Sequence, residues 1–228
     1  MLTLPTPSKT ILFDLDGTLV EAQERFFLAF NWTLQTFGQT ALGWQQFLED
    51  QRTDQLTRYL PEDDEAGRKF LWSLLRNFNR AGTEVIVRGI PGVGDALASL
   101  QSRGYRMGIV TGRRTRPESI RNELGKTGYL GYVEQIFAHV DGHGPEGSEV
   151  MEILSKKEII RLAADRMGVP VRSCIFVGDW TGDIQSARQA GVGLIVAVLS
   201  GGLEEEVLKK EGPDLIVPSV ADLPVYLP

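Results

Sequence analysis

Two carboxylates two residues apart, Asp14 and Asp16, close the short apolar run Thr10 to Phe13 and are followed by Gly17 and Thr18. The run reads as a buried strand. If extended geometry persists past it, a period of two puts both acids on one side of the chain. Like charges at the mouth of an apolar sheet repel each other, so a metal, a shared proton or a nearby cation has to compensate them. Asp and Gly are also ordinary turn residues, and a solvated strand-to-turn junction is the competing reading. Residues far along the chain favour chemistry. The apolar run Tyr105 to Val110 leads into Thr111-Gly112-Arg113-Arg114, and Ser173 to Val177 leads into Gly178-Asp179-Trp180-Thr181-Gly182-Asp183. Asp14, Asp16, Asp179 and Asp183 converging on one edge call for a hard cation, and an oxygen-only set without His or Cys favours Mg²⁺ over zinc. Thr111 adds a hydroxyl, and Lys156 or Lys157 a positive charge. The chemistry suggested is phosphoryl transfer.

The elements that must position these groups follow from periodicity. Residues 21 to 82 are helical in pattern. Phe26, Phe30, Leu34 and Phe37 form one stripe with Gly38 as its stop, a second helix is expected over Gln45 to Leu60 ahead of Pro61, and a third over about Glu65 to Arg80. The acidic run Glu62 to Glu65 sits at a helix start, where a solvated, dipole-favoured turn is preferred to a cation site. From Pro91 onward helices and strands alternate. Helices are expected over 93 to 103, from Pro117, over Lys156 to Met167, up to Gly191 and over Leu203 to Lys210. Strands are expected at Gln135 to Val140, Gly193 to Val198 and Asp214 to Val217, and Asp141 to Ser148 reads as a loop. Repeated strand-helix units with right-handed crossovers give a doubly wound parallel sheet covered on both faces, whose ligands bind beyond the carboxyl ends of the strands. The helical stretch reads as an α-helical cap at 20–87 inserted in an α/β core of 1–19 and 88–228.

Composition agrees with such a protein. The 228 residues are 42% hydrophobic and 24% charged, and the net charge of -6 argues against a nucleic-acid partner. No stretch of about 18 apolar residues suggests a membrane span, and residues 1 to 10 lack a signal-peptide h-region. Cys174, the single cysteine, is expected in the core of a protein in a reducing cytosol, which points to the cytoplasm. Oligomeric state is not written in any of these features.

Taken together, the motifs resemble the haloacid dehalogenase-like hydrolase superfamily, in its branch with a helical cap after the first strand. Asp14-Leu15-Asp16-Gly17-Thr18 is similar to the first motif, Thr111 after an apolar strand to the second, and Gly178-Asp179 with Asp183 to the acidic fourth. Pro91-Gly92-Val93, Asp183-Ile184, Ala187-Arg188 and Ala190-Gly191 extend the likeness over about residues 10 to 200 on a Rossmann-like core. The resemblance implies a nucleophilic Asp14 that forms an aspartyl-phosphate, with Asp16 as general acid and then base. It implies Mg²⁺ held by Asp14, the Asp16 backbone carbonyl, Asp179 and Asp183. It also implies that Thr111, Gly112 and a lysine bind the phosphoryl group. Lys156 fits the shorter spacing of the family's third motif, which here lacks a common Lys-Pro pair.

Other residues carry weaker signals. Arg113, Arg114 and Arg116 either meet a second anionic group on the substrate or form a solvated basic loop, the preferred reading. His139 and His143 share the spacing of a metal pair, but Gly142 and Gly144 argue against a helix, leaving them structural or solvent-facing. Trp32, Trp44 and Trp72 read as cap-core residues before substrate stackers. The expected activity is a Mg²⁺-dependent phosphatase acting on a small phosphorylated metabolite. A phosphomutase uses the same residues. The presence of Asp16 disfavours a dehalogenase, and a phosphonate hydrolase needs a Schiff-base lysine in the cap, where Lys69 on an exposed helical position is the only one. A noncatalytic binding protein would have to keep clustered acids without metal chemistry, at an electrostatic cost.

Overall fold

The computed structural model describes residues 9–139 and 155–228. Thr10–Phe13 forms strand β1, buried throughout. Its side chains alternate, Ile11 and Phe13 entering one apolar cluster and Leu12 the other. A strand covered on both faces therefore reads as an unbroken apolar run. Strands β2 (Arg106–Thr111), β3 (Gln135–Ala138), β4 (Ile175–Gly178), β5 (Leu194–Val198) and β6 (Leu215–Val217) complete a parallel sheet in the order β3-β2-β1-β4-β5-β6. Phe13, the last residue of β1, is opposite Ile109 on one side and Val177 on the other, so the carboxyl ends of β1, β2 and β4 lie side by side, β2 running on to Thr111 and β4 to Gly178. The order reverses between β1 and β4, and it is beyond that crevice that a Rossmann-like sheet binds its ligands.

After β1 the chain forms helices α1 (Gln23–Thr36), α2 (Trp44–Arg52) and α3 (Asp64–Ala81). They share a separate apolar cluster of Phe30, Leu34, Phe47 and Phe70, the expected stripe of α1 meeting α3. Asp63 caps α3, its Oδ1 accepting from the Ala66 N–H at 2.8 Å, so the acidic run does mark a helix start. The helix expected over Gln45 to Leu60 is two pieces: α2 ends at Arg52, and a short 3₁₀ turn covers Leu56–Tyr59. Asp54, at φ +58, breaks it, one of the few residue types whose short polar side chain tolerates the left-handed region.

Helices α4 (Val93–Ser102) and α5 (Pro117–Thr127) cover one face of the sheet through Val93, Leu97, Leu100, Ile120 and Leu124. Helices α6 (Lys157–Arg166) and α7 (Thr181–Ala190) cover the other through Ile160, Ala163, Ile184 and Ala187, with Cys174 buried among them. Short helices α8 (Glu205–Lys210) and α9 (Leu223–Tyr226) flank β6. Among the described residues no helix is long and apolar enough to cross a membrane. Val140, the loop Asp141 to Ser148 and His143 lie outside the described residues.

Candidate active site

Each strand end delivers its group to one edge. The Asp14 N–H donates to the Val177 carbonyl at 2.8 Å, which ties the first acid to the end of β4, and only 4% of Asp14 is exposed. Asp179 follows β4, and Asp183 stands in the first turn of α7, where its Oδ2 accepts from the Trp180 N–H at 3.3 Å. One carboxylate oxygen from each of Asp14, Asp179 and Asp183 lies within 4.8 Å of the others. Lys156, the residue immediately before α6, reaches this cluster: its ammonium is ion-paired to Asp14 Oδ1 and lies 2.6 Å from Asp183 Oδ1. Lys157 instead points toward Glu158, 3.7 Å away. The lysine that meets the acids is therefore Lys156.

Close approach of these acids needs neighbours without side chains. A Cβ on Gly201 would stand 1.8 Å from Asp179 Oδ2, and Gly17 has both a positive φ of +84 and no room beside the same carboxylate. Thr18 Oγ1 donates to Asp179 Oδ1 at 2.8 Å, and Ser200 Oγ donates to the Gly17 carbonyl at 2.7 Å. Thr18, Ser200 and Gly201 were not among the expected site residues. Thr18 was legible only as part of the first motif, and Gly201 only as one of a glycine pair after β5.

Electrostatics follow from this packing. Burial pushes the Asp14 carboxyl up to about 7, against the pull of Lys156 and with a further push from Asp183 and Asp16. Asp179 is raised well above the usual carboxylate range, first by burial and then by Asp14 and Asp183. Lys156 is also buried, which opposes its charge, but Asp14 and Asp183 more than offset this and hold it protonated. Buried acids thus outnumber the cation among them.

Asp16 is set apart from this cluster. Arg113 Nε donates to Asp16 Oδ2 and Arg113 Nη2 to Oδ1, both at 2.6 Å, in a bidentate pair. Burial opposes the Asp16 charge, yet the guanidinium outweighs it and holds the carboxyl below the usual range. Arg113 also donates to Glu123 of α5; Glu123 accepts from Arg25 of α1 at 3.4 Å, and Arg25 Nε donates to the Phe78 carbonyl of α3 at 2.8 Å. The preferred expectation of a solvated basic loop is therefore corrected for Arg113. It is 4% exposed because Asp16, 97 residues away in the chain, and Glu123 of the following helix converge on it. Arg116 is exposed, and Arg114 lies over the Trp72 ring, 4.2 Å from its centroid.

Thr111 is buried at the end of β2, its Oγ1 accepting from the Arg113 N–H at 3.2 Å, and Gly112 lies beside the Lys156 stem. Asp14, Asp16, Thr111, Gly112, Lys156, Asp179 and Asp183 all line one cavity of about 480 Å³, roofed by α1, α3 and the segment around Leu56. His139 is turned away, its Nε2 facing the Ser155 carbonyl at 3.2 Å. Trp32, half-buried, packs under Arg80, while Trp44 stacks on Phe47 and remains exposed. Trp32, Trp44 and Trp72 do not line the cavity, whereas Trp180, unmarked by the sequence, does. Lys69 is exposed and paired with Glu65 at 2.6 Å.

A doubly wound sheet with three acids and a lysine at its switch point has the arrangement of an α/β enzyme. The sequence matches the haloacid dehalogenase-like hydrolase family over residues 11–197, and the chain belongs to that family. It is 27% identical over 214 residues to the pyrophosphatase PpaX of Bacillus pumilus, covering 94% of each chain. It is 28% identical over 242 aligned residues to the phosphoglycolate phosphatase of Escherichia coli, covering 93% of this chain and 90% of the other. A crystal structure of a predicted phosphatase from Clostridium acetobutylicum superposes with a TM-score of 0.72 at 21% identity, over 95% of this chain and 96% of that one.

Proposed function

We propose that this chain is a Mg²⁺-dependent phosphatase that hydrolyses a small phosphorylated metabolite by way of an aspartyl-phosphate on Asp14. The observation that carries the reading is the meeting of Asp14, Asp179 and Asp183 around Lys156 on the floor of a cavity that also holds Thr111. The phosphatase names of its relatives support it. Residues 1–19 and 88–228 serve as the catalytic part and 20–87 as the cap.

The donor set suits the metal. Its ligands are all hard oxygens, and one lysine leaves part of the acid charge uncompensated. Asp14, Asp179, Asp183 and the Asp16 backbone carbonyl would hold Mg²⁺, which when bound neutralises charge on the phosphoryl oxygens. An Asp14 oxygen attacks phosphorus, the bond to the leaving oxygen breaks, and Asp16 protonates that oxygen. Water then attacks the same phosphorus, Asp16 takes its proton, and the bond to Asp14 breaks to release inorganic phosphate. Thr111, Gly112 and Lys156 hold the phosphoryl oxygens where charge gathers. To act as an acid Asp16 has to part from Arg113, breaking two charge-assisted hydrogen bonds.

The test is turnover of a generic aryl phosphate with Mg²⁺ or with EDTA. Phosphate release is expected to require the metal and to fall on the order of 10³-fold or more in Asp14→Asn. Undiminished turnover in that variant refutes the mechanism.

A further inference from the structure

The phosphoryl end of the cavity is polar and charged, but its other wall is not. From the helical segment between β1 and β2 come Phe26, Leu56, Leu60, Leu71, Leu74 and Leu75. The polar residues which that segment contributes are Gln23, Gln51, Thr57 and Asn79, with Asp54 its one charged member. No lysine or arginine of α1, α2 or α3 is among the described lining residues. The cations that line the cavity among the described residues, Lys156, Arg113 and Arg114, all come from the α/β part. Lys156 lies between Asp14 and Asp183, Arg113 is bidentate on Asp16 and also bound to Glu123, and Arg114 covers Trp72. Glu211 lines the cavity as well.

A second anionic group set against the wall built by α1, α3 and the segment around Leu56 would meet leucine and phenylalanine side chains and the Asp54 carboxylate, while the α/β part contributes Arg114 and Glu211, whose charges oppose each other. An anion moved out of water without a partner is strongly disfavoured, while an apolar group placed there gains from its burial. We infer that the substrate is a phosphate monoester of an apolar alcohol, whose uncharged hydrocarbon tail packs against Phe26, Leu71, Leu74 and Leu75 while Lys156 and Thr111 take the phosphoryl group. This rests on the phosphatase reading for its chemistry and departs from the doubly anionic substrates that the names of the relatives describe.

Binding and turnover test the two readings separately. The binding arm is calorimetry of the wild-type protein in Mg²⁺ buffer with alkyl phosphonates of increasing chain length and with phosphonoacetate. Affinity is expected to rise about fourfold per methylene until the cavity is filled, the ratio corresponding to about 0.8 kcal/mol per buried methylene. Propyl phosphonate is expected to bind at least tenfold tighter than phosphonoacetate. A flat series, no binding at any chain length, or tighter binding of phosphonoacetate overturns the inference. The turnover arm compares kcat/KM for the matching alkyl phosphates with phosphoglycolate and pyrophosphate. A preference for either of the latter two overturns the inference and leaves the phosphatase standing. A rising affinity series without turnover of any ester does the reverse.

Discussion

Asp14 is buried where its charge is opposed by the low-dielectric surroundings and by two neighbouring acids, with Lys156 as the local cation. In the metal-free protein its folded carboxyl holds a proton that the unfolded chain has already released at its ordinary value near 3.8. The folded state therefore binds more protons than the unfolded state between about 4 and about 7, and the metal-free protein loses stability as pH rises through that window. Asn in place of Asp14 removes this charge, so Asp14→Asn is expected to flatten that decline and to raise the melting temperature in EDTA at pH 7. Thermal scans across pH check both. Gly201 makes a second case at this scale. Its missing Cβ leaves the space that Asp179 Oδ2 occupies, so Gly201→Ala has to displace that carboxylate. Loss of Mg²⁺-dependent turnover by about tenfold or more is expected, with the far-ultraviolet circular dichroism retained. Asp14 and Asp179 were readable in the sequence because each comes at the close of an apolar run, and Asp16 and Asp183 because of their spacing from those two. Gly201 and Ser200 were not, because a Gly-rich loop after a strand has the same appearance whether it makes room for a carboxylate or merely turns.

At the scale of elements, the strand ends and the helical segment are joined through one arginine. Arg113, after β2, binds Asp16 after β1 and Glu123 on α5, and Glu123 in turn meets Arg25 on α1. Removing one partner of a buried pair leaves charge uncompensated, so Arg113→Ala is expected to cost about 3 kcal/mol of unfolding free energy, read from urea denaturation. Arg113→Lys is expected to recover only part of it, since an ammonium lacks the fork that spans both Asp16 oxygens. Local pattern revealed the elements better than their ties. The apolar run of β1, the stripe on α1 and the capped acidic start of α3 each follow from neighbours in sequence. The break after α2 turned on the conformation of Asp54, which competes poorly in a periodicity argument. The burial of Arg113 depended above all on Asp16, 97 residues away in the chain and brought near by folding. A basic dipeptide after a strand therefore read as solvated loop.

For the molecule as a whole, the order of the sheet decides where chemistry occurs. β1 lies between β2 and β4, and their adjacent carboxyl ends place Asp14, Thr111 and Asp179 around one cavity, with α1, α3 and the segment around Leu56 above it. The alternation of strands and helices made that parallel sheet readable in advance, and the family match over residues 11–197 agrees with it. The shape and polarity of the cavity wall were not readable, because they arise from three helices meeting in space. The central claim is that a phosphoryl group passes through Asp14. Its most direct test is acid quenching of the Asp16→Asn variant during turnover of an aryl phosphate with Mg²⁺, followed by peptide mass spectrometry. Without Asp16 to activate water, the intermediate is expected to accumulate, and the peptide carrying Asp14 should gain the mass of one phosphoryl group, a gain absent when Asp14 is also replaced by Asn. Continued phosphate release with no phosphoryl group on Asp14 at any quench time would contradict the account.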